Sequence, residues 1–337
     1  DLDTRAATDS FGYEDGTDAE RQIKSAYFFF FDADGNPFNV TGAPATAPGG
    51  DVNHLSLAIG NTTGKVDPNI SDIKEAVLVL KTYKGIYPSQ IVAVLNWTPD
   101  ANTAYTLTAL HGVVENSLGN DTNGYVMSNS VYLNSNVKTV DAVALTEANI
   151  AKKAEDAKAN PITIHVERIA AKVTVTAKNN VEEGRYLVKS ENISGNTTDV
   201  YVQVTGWELY NDFAQSKLIK DINPAWDSAV LGFTWNDSPY YRCYWAESLA
   251  IGDIGTNDFP TAFGLELGSA ANVTAGTYAD NTYTYVGENT NYVVNNTDNC
   301  TKVIIKAKLQ KKVSESVYED LPMTRWYTTY YATLNDL

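Results

Sequence analysis

Apolar residues recur at every second position through much of the chain, and the longest such stretch is Pro161 to Ala177, P-I-T-I-H-V-E-R-I-A-A-K-V-T-V-T-A. Ile162, Ile164 and Val166 share one parity. Beyond Glu167 and Arg168 the apolar positions move to the other parity, carried by Ile169, Ala171, Val173, Val175 and Ala177. A strand facing one core throughout would turn its second half to solvent unless one residue is absorbed. A β-bulge at Glu167-Arg168 does that. Two short strands separated by a kink produce the same pattern. In both cases a central β element lies mid-chain, and the segments before and after it are expected to form separate domains.

The remaining pattern is also mostly of period two. Ile23 to Phe31 is apolar on both faces, and Asp32-Ala33-Asp34-Gly35-Asn36 after it reads as a turn. This D-x-D-G loop lacks the ligand spacing of an EF-hand, so calcium is not expected. Ala76 to Tyr83 and Gln90 to Trp97 predict a hairpin across Gly85 to Ser89. Ala101 to Leu118 has an ambiguous pattern with room for a helix. Tyr125 through Leu133 predicts a strand, and Leu145 to Asn160 a short surface helix ended by Pro161. In the second half Val200 to Val204 alternates cleanly, and its phase changes at Gly206 before Trp207 to Tyr210. Tyr283 to Val286 and Tyr292 to Val294 are short strands. Thr301 to Leu309 predicts a strand with Val303, Ile305, Ala307 and Leu309 inward and three lysines outward. A last strand spans Trp326 to Leu334. Many short strands with turn signals in both halves predict an all-β chain of two β-sandwiches with minor helical segments. The expected division is a mobile arm over 1–21, an N-terminal sandwich over 22–180 and a C-terminal sandwich over 181–337.

Composition narrows the class. A chain of 337 residues exceeds one ordinary core, so two domains are expected. Its 43% hydrophobic residues can fill them, and the 21 tyrosines favour strands. A net charge of -16 argues against nucleic acid and anionic membrane surfaces, both of which attract Lys and Arg. Such a charge suits solubility outside a cell. Cys243 and Cys300, the only cysteines, fit neither a zinc pattern nor a disulfide framework; they pair in an oxidising compartment or stay as buried thiols. No run reaches the ~18 apolar residues of a membrane span. With no initiating Met, the chain reads as a processed or trimmed product.

The chemistry on offer is thin. His54, His111 and His165 are the only histidines, and none stands in a metal-ligand spacing, so each is expected to be satisfied or exposed. There is no nucleophile elbow, phosphate-binding loop or dinucleotide fingerprint. Carboxylates are abundant, yet no pair is singled out. An enzyme is therefore not expected, and no cofactor or metal is implied. The Trp207 to Trp245 region is expected to fill the second core, with carbohydrate binding as the sharper alternative. Sequons such as Asn61-Thr62-Thr63 and Asn96-Trp97-Thr98 matter only in a host that glycosylates asparagine.

Four stretches carry a resemblance: H-V-E-R-I-A-A-K-V-T-V (His165 to Val175), Y-V-M-S-N-S (Tyr125 to Ser130), W-E-L-Y-N (Trp207 to Asn211), and Y-V-G-E-N-T (Tyr285 to Thr290) followed by T-K-V-I-I-K-A-K-L (Thr301 to Leu309). Each is little more than a strand with one polar marker. As an ordered set spread over most of the chain they resemble the major fimbrial (type V pilus) subunits of Bacteroidales, the Mfa-like and FimA-like pilins. The resemblance implies two transthyretin-like β-sandwiches in tandem, export as a lipoprotein and trimming at the outer-membrane surface by an arginine-specific protease. It further implies polymerisation by β-strand exchange with copies of itself or related subunits, supporting adhesion. Arg5, followed by Ala6, matches the cleavage position, making Asp1 to Arg5 the tail of a removed pro-segment. Such subunits usually continue beyond the Y-Y-A-T-L-N region, whereas this chain stops at Leu337; it is expected to be truncated or to belong to a tip, anchor or adhesin branch. The two-sided strand after the removable arm supplies the expected assembly groove, at Ile23, Tyr27, Phe29 and Phe31. The first choice of donor strand is a segment beyond Leu337. The other function class is a surface adhesin or binding module for glycan or protein, which shares the architecture.

Overall fold

Successive side chains of an extended strand leave on opposite faces, and in Ala26–Phe31 (β1) both faces are apolar. The computed structural model describes residues 16–42, 52–57, 77–82, 85–129, 132–133, 139–140, 142–174, 185–193, 195–210, 216–220, 245, 273–274, 277–278, 283–289, 301–321, 324–326 and 329–331. The chain divides into two compact units. The first holds Asp1–Ala171, Phe213–Leu249 and Gly287–Thr290; the second holds Lys172–Asp212, Ala250–Val286 and Asn291–Leu337. The pattern predicts a single cut after residue 180, a position outside the described residues. Instead the chain contributes to the first unit three times.

In the first unit, β1 is flanked by His54–Leu57 (β2) and Gln90–Leu95 (β3), both antiparallel to it. Leu107–His111 (α1) is a single turn of helix: the Thr106 side chain accepts from the Ala109 N–H, and Gly112 closes its last turn. Met127–Asn129 (β4) and Val143–Ala144 (β5) share the other edge of β3. Ala154–Ala159 (α2) lies on the surface with no buried residue. Val166–Arg168 (β6) pairs with β4, giving the strand order β6-β4-β3-β1-β2. Both helices fall in the stretches where the pattern left room for them.

This sheet is covered on both sides. Phe29 and Phe31 join Val92, Val94, Leu110, Leu218, Ile219 and Trp245 on one face. Ala26, Phe28 and Phe30 join Val40, Ile91, Ala93 and Leu95 on the other, where Leu78, Leu80, Ile162, Ile164 and Val166 also pack. Strands buried on both faces read as continuous apolar runs, which accounts for F-F-F-F and I-V-A-V-L. Each phenylalanine contributes ~1.5–3 kcal/mol on burial. The expected hairpin of Ala76–Tyr83 with β3 is absent, because both edges of β3 are already taken. Lys81 instead meets Thr41 in an isolated parallel bridge, its N–H bonded to the Val40 carbonyl at 2.8 Å.

Three asparagine side chains complete ladders where strands do not meet. Fully buried Asn129 fills the gap between β4 and β5: its Oδ1 accepts from the Ala93 N–H at 2.8 Å. Asn53 pairs with the Tyr105 backbone through both its amide ends, at 2.9 and 3.0 Å. Asn96, at φ 58°, donates from Nδ2 to the carbonyls of Gln22 and Tyr125, each at 2.8 Å, and accepts the Lys24 N–H at 2.7 Å. The Asn96 sequon is thereby spent, since the nitrogen that would carry a glycan is committed to two carbonyls. Asn61 lies outside the described residues.

The central stretch departs from expectation. Register runs without a shift through Val166, Glu167 and Arg168, opposite Asn129, Ser128 and Met127, so no bulge occurs at Glu167-Arg168. Val166 packs on one face of the sheet, and Ile169, 3% exposed, on the other. What reads as a phase slip is uninterrupted alternation in a sheet with cores on both sides. The strand then stops, and Ala171–Thr174 (β7) opens a separate ladder, as in the two-strand alternative.

In the second unit, Arg185–Ile193 (β8), Asn196–Tyr210 (β9), Lys302–Ser314 (β11) and Val317–Asp320 (β12) form an antiparallel sheet in the order β8-β9-β11-β12. Tyr283–Val286 (β10) pairs with β7. The phase change expected at Gly206 is present: register shifts between Val204 and Gly206 opposite β11, so β9 absorbs one residue. Val303 and Ala307 are exposed and Leu309 half-buried, so the inward face expected of β11 is not closed over these residues. On the opposite face Arg185 stacks over Tyr318 and donates to Gln310 Oε1 at 2.7 Å, while Gln310 donates to Asp320. Both ends of the buried Gln310 amide are thus satisfied.

Candidate assembly surface

An acceptor groove needs a strand with a free edge, and β1 has none. Its two edges hold β2 and β3 over Ala26 to Phe29 and Ala26 to Phe31 respectively. Nor do the four expected groove residues line one surface. Tyr27, Phe29 and Phe31 belong to one apolar cluster, and Ile23 packs against the cluster on the opposite face. The two-sided apolar pattern marks a central strand, and it looks the same in sequence as a strand awaiting a partner. Among the described residues, the outermost strands are β2 and β6 in the first unit and β8 and β12 in the second.

Arg5 and Ala6 lie outside the described residues, as do Cys243, Cys300, Trp226 and Trp235. Residues 16–21, expected within a mobile arm, form a hydrogen-bonded turn. The Thr17 N–H donates to Glu20 Oε2 at 2.6 Å and the Glu20 N–H to Thr17 Oγ1 at 3.3 Å, a reciprocal capping pair. Arg168 reaches this turn and donates to the Glu20 carbonyl at 3.4 Å.

Glu167 leaves the other face of β6. Its carboxylate meets Lys220 Nζ at 2.6 Å, and the lysine side chain is wholly out of solvent. Desolvating either charge alone is costly, so each requires the other. The Trp245 ring, 4.0 Å from Nζ, adds a cation–π contact. Trp245 is itself held on several sides: its N–H donates to Glu288 Oε2 at 2.6 Å, its indole N–H to Ser128 Oγ at 3.4 Å, and its carbonyl accepts from Lys217 at 2.7 Å. Glu167 and Arg168 are therefore not bulge residues. Facing opposite ways, they bind β6 to the 216–220 and Trp245 segments on one side and to the Thr17–Arg21 turn on the other. Trp245, expected in a second core or a sugar site, is 5% exposed in the first unit's core.

Lys220 was not singled out by sequence. The available signal is Glu167 itself, a carboxylate in an apolar strand that needs a cation; pattern cannot say which of 25 Lys and Arg supplies it. His54 departs from expectation too, being buried with no hydrogen-bond partner at Nε2.

A cleft of about 500 Å³ beside α1 is lined by Asp34, Gln90, His111 and Lys217, among others. Its charges are mixed and no Phe, Tyr or Trp lines it. Among the described residues no group of three or more His, Cys, Asp or Glu is placed to hold a metal ion, and no helix is long and apolar enough to cross a membrane.

No protein-family profile and no curated protein matches the sequence. Solved structures do. A fimbrial assembly protein from Parabacteroides distasonis is similar at 12% identity, over 91% of this chain and 80% of that one, with a TM-score of 0.39. A candidate cell adhesion protein from the same organism is similar at 15% identity, over 94% and 74%, with a TM-score of 0.43. A candidate cell adhesion protein from Bacteroides eggerthii is similar at 12% identity, over 89% and 71%, with a TM-score of 0.32.

Proposed function

We propose that this chain is a structural subunit of a cell-surface fimbria, of the kind its sequence stretches resemble. One observation carries the reading: those stretches, far apart in sequence, are hydrogen-bonded partners of one another. Val166, Glu167 and Arg168 of the first lie opposite Asn129, Ser128 and Met127 of the second. Trp207, Glu208, Leu209 and Tyr210 of the third lie opposite Ile305, Ile304, Val303 and Lys302 of the fourth. β7, from the first, pairs with β10, which leads into Gly287-Glu288-Asn289. This adjacency in the sheets supports reading the stretches as one set.

In this reading the precursor is exported as a lipoprotein, trimmed after Arg5 by an arginine-specific protease, and polymerised at the outer-membrane surface by β-strand exchange. The incoming strand adds at an outermost strand rather than along β1, whose edges are taken. A head-to-tail contact of that kind does not close on itself and so yields filaments.

The test is electron microscopy of the full-length processed protein, alongside a denaturing gel without boiling. Filaments and a ladder of resistant oligomers are expected. A protein that stays monomeric at high concentration after correct trimming rejects the shaft-subunit reading; binding of that monomer to cell surfaces or glycans would replace it with an adhesin.

A further inference from the structure

His54 begins β2, and it is 7% exposed. Aromatic rings close around it: Phe29 at 5.3 Å, Tyr27 at 6.0 Å and Tyr105 at 6.3 Å between centroids. Inside this enclosure Nε2 has no hydrogen-bond partner. The titratable groups facing it are Tyr27 from β1 and Tyr105 and Asp100 from the loop between β3 and α1. Both tyrosines are neutral in acid. Burial holds the imidazole below 6.5, outweighing the backbones of Asp100 and Thr103 and the Asp100 charge, all of which favour the cation. The surrounding ring faces attract a cation, yet none offers Nε2 the acceptor that water would.

The strand that His54 heads is an outermost strand of its sheet. β2 has four residues and, among the described residues, pairs with β1 alone. Leu55 and Leu57 are half-buried and Ser56 is exposed. Short outermost strands with few buried contacts open at the lowest free energy in a fold.

We propose that His54 is an acid-sensitive release for β2. A proton taken up at Nε2 adds a buried N–H with no acceptor among the rings, and the strand escapes that state by leaving the edge of β1. Its departure uncovers the backbone of Ala26 to Phe29 as an open edge. The sign follows from the neutral form being the one that folds: the strand is held at pH above 6.5 and loosens as pH falls below it. This device goes beyond the fimbrial reading and does not depend on it.

The test is hydrogen exchange of the full chain at pH 7.5 and 5.0, with rates corrected for the intrinsic effect of pH. A peptide covering 52–57 should lose protection in acid, by up to about thirtyfold, while one covering β3 keeps its own. In His54→Phe the 52–57 peptide should be equally protected at both pH values. Equal behaviour of β2 and β3 in the parent, or the same acid loss in His54→Phe, overturns the proposal. Should that variant not fold, the imidazole of the parent is followed by NMR. A midpoint below 6.5 accompanied by β2 opening supports the proposal, and titration near 6.5 with β2 unchanged overturns it.

Discussion

Lys220 Nζ lies 2.6 Å from Glu167 Oε2, with neither side chain open to water beyond 9%, and the pair joins segments 53 residues apart. Removing one partner strands the other charge in the core. Lys220→Met and Glu167→Leu are each expected to cost ~3–5 kcal/mol by chemical denaturation. The double variant should recover most of that loss, since an apolar pair of similar volume needs no compensation. Single-variant losses that simply add would mean the two charges do not depend on each other.

Val166 and Ile169 are separated by the expected bulge in sequence, but in the structure they face different cores. Ile169 is 3% exposed and Val166 half-buried. Ile169→Asp should therefore cost on the order of 4 kcal/mol or more, as for a buried unpaired charge, and Val166→Asp roughly 1–3 kcal/mol. Equal losses in urea melts would restore the single-core strand.

Much of the fold is legible in the pattern, and what escapes has a common cause. β1, β3 and β9 lie where their runs predict them, and the shift at Gly206 appears in the ladder. Period two reports alternation, but not how many layers cover a sheet. A strand with cores on both faces therefore imitates a bulge at Glu167-Arg168 and an empty groove at Phe29 and Phe31. The asparagine bridges are invisible for another reason: Asn53, Asn96 and Asn129 look like ordinary turn or sequon residues until the gaps they fill are known. The return of residues 216–220 and Trp245 to the first unit rests on long-range partners, Glu167 for Lys220 and Val114-Glu115 for Ser216-Lys217, which no local window contains.

Asn96 and Gly124 are expected to couple. A Cβ on Gly124 would lie 2.4 Å from Asn96 Nδ2, at a backbone φ of +81°. Gly124→Ala should cost roughly 2–3 kcal/mol from strain and crowding together. Asn96→Ala orphans the Gln22 and Tyr125 carbonyls, on the order of 2–4 kcal/mol. It also removes the atom that the added methyl would strike, so the double variant should be more stable than the sum of the two losses implies. Strict additivity in a double-mutant cycle would show that the crowding is not there.

Glu115 works against stability at neutral pH, in the opposite sense to His54. Burial raises its carboxyl above the usual 4.5, and the hydrogen bond from Trp97 Nε1 at 2.6 Å only partly restores it. A carboxyl with a raised value in the fold binds a proton more readily there than in the unfolded chain. Its ionised form therefore costs stability at pH 7, and the cost fades as pH falls through the folded value toward 4.5. Glu115→Gln keeps an oxygen for the indole and discards the charge. It should melt about 1–2 °C above the parent at pH 8, with the advantage shrinking in acid and vanishing below about 4.5. His54 is common to both proteins, so its own acid loss cancels in the difference. A variant less stable than its parent at pH 8, or an advantage that grows as pH falls, would show that the carboxylate is stabilised where it sits and that the Trp97 hydrogen bond outweighs burial.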